Sequence, residues 1–478
     1  MADIIYIKPS DSRSWLHCRR RVWYDNFPPE GFEVGEPDPF DALIMKMGIN
    51  HEWGIKRDLE KKFQVIEAVS NEHTLGLMKA GAEVIYQGEL VDKVAGIIGK
   101  PDFLIKQPNG EYQAADAKLS RKEDKKEIQI QLGVYRKLLG NMLPAMVFIG
   151  DKSTVEIGME ADEETDKFLA DMPLILASKN PPEARYGESK CKVCPYTGIC
   201  KPEFKAREEL TLLYGIDARS APGLEAQGIQ NITAMSKANP EYIDDVPWLK
   251  GFEKKQRAVL QAQAYFTNKY YQIAPVSLPE GTWVHFDIEV NPLTDSGEEH
   301  VYLWGFLKPP YKGGDFEYVW TDHEDDDKQG WLEFLELMEK YKTNYPDLVL
   351  CHFSNYEVVN IKRYAKRYEM ENHPIVGWLL GKNTPLFDIK NPVMESFVLP
   401  LAGYGLKQIC KHEGLVNFQW SDGDSGSQWS VVQFAKYLAE PINGRREQIK
   451  NDILGYNFDD VMATRRLEEW LQKFKIFD

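Results

Sequence analysis

Between Trp283 and Val290 the chain reads WVHFDIEV. Val284, Phe286, Ile288 and Val290 alternate with His285, Asp287 and Glu289. A period of two predicts a strand with one apolar face and a second face carrying two acids. Earlier, GKPDFLIKQPNGEYQAADAKLS places apolar stretches on either side of Pro108-Asn109-Gly110, the pattern of a hairpin turning at Asn109. Period-3.6 patterns predict helices from His51 (HEWGIKRDLEKKF), over Lys125–Leu139, and in the C-terminal ILGYNFDDVMATRRLEEWLQ. The stretch LVLCHFSNYEVVNIKRY predicts strand, loop and helix, with Glu357 at the helix start. The whole reads as an α/β protein. A first domain spans 1–205 and a helical linker with Gly-centred turns spans 206–274. A second α/β domain spans 275–478.

Forty-three per cent of residues are hydrophobic and 28% charged, enough apolar material for filled cores. No apolar run reaches the roughly 18 residues of a membrane span. MADIIYIKPSDSRSW lacks the basic-then-apolar pattern of a signal peptide, so a cytoplasmic location is expected. A net charge of −16 argues against a nucleic-acid coat protein. A chain that meets phosphates through divalent ions and local cations escapes that objection. Two such patches are Arg19-Arg20-Arg21 and Lys118–Lys126 with Arg121, Lys122 and Lys125; each also reads as a solvated face.

Asp102 and Asp116 lie seven residues either side of Asn109, so the hairpin sets them opposite one another. Lys118 projects from the same face as Asp116. Two carboxylates and an ammonium together are costly in a core without a metal, and Mg²⁺ or Mn²⁺ favours such oxygen ligands. On the following helix Gln131 and Tyr135 share a face. Pro101-Asp102, Asp116-Ala117-Lys118 and Gln131-x3-Tyr135, preceded by His51, occur in an order that resembles the RecB-like branch of the PD-(D/E)XK nucleases. The resemblance implies a restriction-endonuclease-like fold. His51, Asp102 and Asp116 would hold the metal, Lys118 would be catalytic, and Gln131 and Tyr135 would position substrate or the acids.

Three of six cysteines crowd into Cys191-x2-Cys194-x5-Cys200, a ligand pattern. Cys18 is the only other cysteine in the first region. Spacing does not separate zinc from iron–sulfur. RecB-like nucleases with a 4Fe-4S cluster share this order of one cysteine before the core and three after, so the resemblance implies an iron–sulfur cluster, with zinc the alternative. Cys351 and Cys410 read as buried apolar residues.

In the C-terminal domain Tyr456 and Asp460 lie on one helix face, whereas Asp459 reads as solvated. Asp287-Ile288-Glu289, the segment His352–Glu357, and Tyr456-x3-Asp460 resemble the three motifs of DEDD exonucleases with an RNase H-like fold. Phe353 and Glu357 depart from the family's Asn and Asp. By resemblance Asp287, Glu289, Glu357 and Asp460 would bind two Mg²⁺ or Mn²⁺ ions, Tyr456 would orient water, and Asp388 would be structural. The acidic run Asp322–Asp327 reads as a solvated loop, and Leu224–Ile229 and Leu249–Phe252 distantly resemble helix-hairpin-helix turns. The expectation is a metal-dependent nuclease acting on nucleic acid, DNA rather than RNA, with a second site of 3′-to-5′ exonuclease type. The alternatives are an RNA nuclease, or a nucleic-acid-binding scaffold in which one or both sites are inactive.

Overall fold

The computed structural model describes residues 5–475 except 34, 37, 121, 123, 124 and 422–425. Arg121 of the second basic patch lies outside the described residues. The chain forms two compact units. One comprises residues up to 185 with 189–200 and 295–297; the other comprises 186–188, 201–294 and 298 onward.

The first unit is a six-stranded sheet in sequential order, β1 (Val65–Glu67), β2 (Val84–Tyr86), β3 (Phe103–Lys106), β4 (Tyr112–Ala117), β5 (Ala145–Phe148) and β6 (Thr154–Ile157). β3 and β4 pair antiparallel, β4 and β5 parallel. The hairpin turns where expected: Gln107 N–H bonds to Glu111 O (2.8 Å), and Gly110 takes φ +87°, a conformation that suits glycine. Helices α1 (Asp11–His17), α2 (Arg19–Asn26), α3 (Pro39–Glu60), α4 (Lys126–Leu139) and α5 (Asp162–Leu176) accompany the sheet. α3 begins twelve residues before His51, because Asp38 caps it by accepting the Phe40 N–H and Pro39 suits a first-turn position. His51 is thus a mid-helix residue, not one near a helix start.

The basic run Arg19-Arg20-Arg21 is only in part a solvated face, since Arg19 is exposed. Arg20 is buried and donates to Pro182 O (2.7 Å), Arg19 pairs with Asp171 (2.6 Å), and Arg21 lies 3.9 Å from Asp25.

The second unit holds a five-stranded sheet built from β7 (Thr282–Asn291), β8 (His300–Leu307), β9 (Phe316–Trp320), β10 (Leu348–His352) and β11 (Leu386–Asp388). Its order is β9-β8-β7-β10-β11, which makes β7 central. Residues 206–274 belong to this unit. Their long helix α6 (Phe252–Thr267) is tied down by Arg257, which donates to Phe397 O (2.9 Å), and by Gln261, which donates to Leu401 O (3.1 Å). Gly228 and Gly251 adopt positive φ at the two Gly-centred turns. Further helices are α7 (Asp327–Asn344), α8 (Tyr356–Arg367), α9 (Leu406–Lys411), α10 (Ser427–Ala439) and α11 (Asn443–Gln472). One sheet face packs a stacked aromatic core of Phe286, Trp304, Phe306 and Phe334. Cys351 and Cys410 are fully buried.

Two acidic readings change. Asp327 is buried and accepts from Tyr368 Oη (2.6 Å) and Arg367 (2.6 Å), so the run Asp322–Asp327 ends in a structural anchor. Asp459 is buried too, and accepts from Ser421 N (2.7 Å) and Oγ (2.5 Å). Its helix is covered on more than one face, so a position off the Tyr456–Asp460 stripe still meets protein. Among the described residues no helix is long and apolar enough to cross a membrane.

Candidate nuclease sites

The pairing of Phe103 with Ala115 extends to set Asp102 against Asp116. The Asp102 backbone N–H donates to Asp116 Oδ1 (3.1 Å), while Asp102 Oδ2 accepts the Ala117 N–H (2.8 Å). Lys118 Nζ lies 2.7 Å from Asp116 Oδ2. Burial, and then the Asp116 charge, push the Asp102 carboxyl well above its usual range. Burial works against the Lys118 charge, but Asp116 and Asp102 outweigh it and raise the ammonium's pKa. A buried, under-compensated acid pair of this kind is suited to a divalent cation.

Gln131 Nε2 donates to Tyr135 Oη (3.0 Å), which donates to Lys100 O (3.3 Å), beside the Pro101-Asp102 turn. Burial and the Asp116 charge raise the Tyr135 phenol. His51 Nε2 lies 3.3 Å from Phe148 O, the carbonyl that also accepts the Lys118 N–H (2.8 Å). The histidine therefore reaches the strand end bearing Lys118, but its ring nitrogen is directed to a backbone carbonyl. Two residues unforeseen from sequence join this site. Glu52 Oε1 accepts from Tyr86 Oη and Gln87 Nε2 (both 2.7 Å), and Gln87 Nε2 also reaches Asp102 Oδ1 (3.2 Å). Their only signal was Glu52's adjacency to His51.

In the second unit Asp287, Glu289 and Asp460 bring one ligand oxygen each within 4.8 Å of the others, the convergence a metal ion requires. β7 places the two acids on one face and α11 carries Asp460 across it. Burial, then Asp460 and Glu289, push Asp287 well up; burial and then Asp460 push Glu289 to about 8. Asn457 Nδ2 donates to Asp287 Oδ2 (2.7 Å), Ser430 Oγ to Glu289 Oε2 (2.5 Å), and Trp420 Nε1 to Asp460 Oδ1 (2.7 Å). None of these three supporting residues was legible, because they are remote in sequence or masked by a helix-surface pattern.

Glu357 stands outside the converging triad. Its Oε2 lies 3.4 Å from His352 Nδ1, although its charge is felt at Asp287. Tyr456 is buried, with its ring against Trp429 (5.3 Å). Asp388 Oδ1 accepts the N–H groups of Ser354 (2.7 Å) and Lys390 (3.0 Å), a loop-bracing role.

Cys18 lies between α1 and α2; Cys191, Cys194 and Cys200 follow in a short helical hairpin, and all four are half-buried. Burial raises the Cys194 thiol while Arg21 opposes it, and the charges of Cys191 and Cys18 act on it. Burial likewise raises Cys200, with Arg20 opposing and Cys194 and Cys18 acting on it. Cys194 is thus within electrostatic reach of Cys18, Cys191 and Cys200. Lys190, which donates to Leu16 O (3.2 Å), and Tyr196, which donates to Asp25 (2.9 Å), hold the hairpin against α1 and α2.

The chain thus carries two acid-lined sites, one in each α/β unit. Residues 38–201 match the PD-(D/E)XK nuclease superfamily and residues 284–472 match the RNase H superfamily. No curated protein matches the chain. Among solved structures, the crystal structure of SSO0001 aligns with 42% of this chain and 88% of its own at 17% identity, with a TM-score of 0.25, too low to add to the assignment.

Proposed function

We propose that this chain is a divalent-metal-dependent nuclease with two separate phosphodiester-hydrolysing sites, acting on single-stranded DNA or DNA ends. The observation that carries the reading is the convergence of Asp287, Glu289 and Asp460, together with the Asp102–Asp116–Lys118 group in a domain of nuclease type.

In the first site Asp102 and Asp116, with His51 near the same strand end, would hold Mg²⁺ or Mn²⁺. The bound ion supplies Lewis-acid activation of phosphate and water. Lys118 holds its proton beside Asp116 and would offset charge on the attacked phosphate. Gln131 and Tyr135 orient the acidic strand end. In the second site Asp287, Glu289 and Asp460, joined by Glu357, would hold the ions, and Tyr456 would orient the attacking water. The site is of 3′-to-5′ exonuclease type. Cys18, Cys191, Cys194 and Cys200 would hold a 4Fe-4S cluster or, alternatively, zinc. This would join the beginning of the domain to its end and act structurally.

The test is cleavage of end-labelled single- and double-stranded DNA and RNA with Mg²⁺ or Mn²⁺ by the anaerobically purified protein, beside Lys118→Ala and Asp460→Ala. Each variant is expected to lose a different product class. Cleavage indifferent to both substitutions, or none on any substrate, overturns the reading.

A further inference from the structure

The short helix α9 carries Lys407 and Lys411 one turn apart. Both ammonium groups lie over the indole of Trp420, with Nζ 5.1 and 5.7 Å from the ring centre. Lys407 Nζ also stands 4.6 Å from the Tyr456 ring centre. These rings belong to the acidic site: Trp420 donates to Asp460 Oδ1, and Tyr456 lies one turn before Asp460 on α11. Lys407 is partly exposed, while Glu289 and Glu357 are buried.

A nucleic-acid strand entering this site brings one negative charge per nucleotide towards at least three carboxylates. Divalent ions answer the carboxylates, and the strand's own phosphates call for a cation at the rim. An ammonium is a compact point charge suited to phosphate. Cation–π contact with two rings fixes where a flexible lysine side chain ends. Residues at i and i+4 on a helix are about 6 Å apart, which also suits successive phosphates of a strand.

We propose that Lys407 is a substrate-contacting residue of the C-terminal site, its ammonium held on Tyr456 and Trp420 to bind the backbone phosphate of the strand presented to Asp287, Glu289 and Asp460. Lys411 takes the neighbouring phosphate. The inference rests on the nuclease reading of this domain, and deepens it by naming how the strand is held.

The experiment uses the full chain with Lys407→Met, which keeps the packing on both rings but removes the charge, and Lys407→Arg, which restores a cation. Two quantities are read: formation of the Asp460-dependent product with Mn²⁺, and the salt dependence of single-stranded oligonucleotide binding with Ca²⁺. Lys407→Met is expected to raise KM about tenfold with a smaller change in kcat, leave Lys118-dependent products unchanged, and lower the slope of log affinity against log salt by about 0.7. Lys407→Arg is expected to recover most of both. Unchanged KM and salt slope in Lys407→Met overturn the proposal. Should the unaltered protein form no Asp460-dependent product, the hydrolytic reading of this domain fails by itself. The salt slope then decides for Lys407: a reduced slope supports phosphate contact, and an unaltered slope overturns it.

Discussion

Asp102 and Asp116 face each other across the β3–β4 hairpin, and the backbone N–H of Asp102 donates to the Asp116 carboxylate at 3.1 Å. The Asp102 carboxylate in turn accepts the Ala117 N–H, so a main-chain bond holds each carboxylate, and Lys118, 2.7 Å from Asp116, supplies the compensating charge. Lys118 is partly exposed and Asp116 buried, so Lys118→Met is expected to lower the stability of the metal-free first unit by about 1–3 kcal/mol, the cost of leaving a buried acceptor without its partner. Its cleavage products should fall at least about 100-fold. Calorimetry in EDTA and the end-label assay check the two effects, and an unshifted melting transition would contradict the compensating role.

Glu289 links pH to stability in the metal-free protein. Its carboxyl is pushed from 4.5 to about 8, first by burial and then by Asp460. A pKa raised on folding means that the native state holds the proton more tightly than the unfolded chain. The stabilisation is thus complete below about 4.5 and is lost as pH rises through about 8. Melting temperatures in EDTA should fall across that window, and Glu289→Gln should flatten the decline. Protection by Mg²⁺ should grow with pH, since the ion replaces the proton. A melting temperature that rises with pH in EDTA is the contrary result.

Gly305 sits across from Asp287 in the β7–β8 pairing, and a Cβ there would lie 1.8 Å from Asn457 Oδ1. Gly305→Ala must displace the amide that bridges Asp287 and Glu289. Loss of Asp460-dependent product by about tenfold or more is expected, with Lys118-dependent product retained. Equal loss of both classes would point instead to general misfolding.

Trp420 orients Asp460 through one hydrogen bond while its ring packs on Phe418. Trp420→Phe removes the donor and keeps much of the packing. Partners that orient a metal-binding carboxylate contribute about 10- to 100-fold in metal affinity. Mn²⁺ titration of the variant should show weakening of that order, and unchanged affinity would remove Trp420 from the site.

Cys194→Ser is expected to abolish stoichiometric iron, or zinc, in the anaerobically purified protein and to lower the first unit's melting temperature. Elemental analysis distinguishes the two metals. Neither metal in the unaltered protein would refute the ligand assignment.

The strands bearing the acids were legible because side-chain alternation is a local property of extended backbone. Once Asn109 marked the turn, the opposition of Asp102 and Asp116 followed from counting, as did the shared face of Asp287 and Glu289. Glu357 was less legible. Its place at the start of α8 could be read, but its lean towards His352 depends on where the ends of β10 and α8 meet.

Pattern and spacing alone thus determined the α/β character, the hairpin and the principal acids, since each rests on backbone periodicity over a few residues. Motif resemblance already grouped Asp460 with Asp287 and Glu289, whose oxygens the structure brings together. Only the tertiary structure decided that Asn457, Ser430 and Trp420 brace them, and that Lys407 stands over Tyr456. It also decided that Asp459, Asp327 and Arg20 are buried anchors. Those relations depend on how α9, α10 and α11 pack on β7, or on which surfaces neighbouring segments cover. Such packing is set by the summed burial of many side chains, which leaves no local mark in the sequence around any one of them.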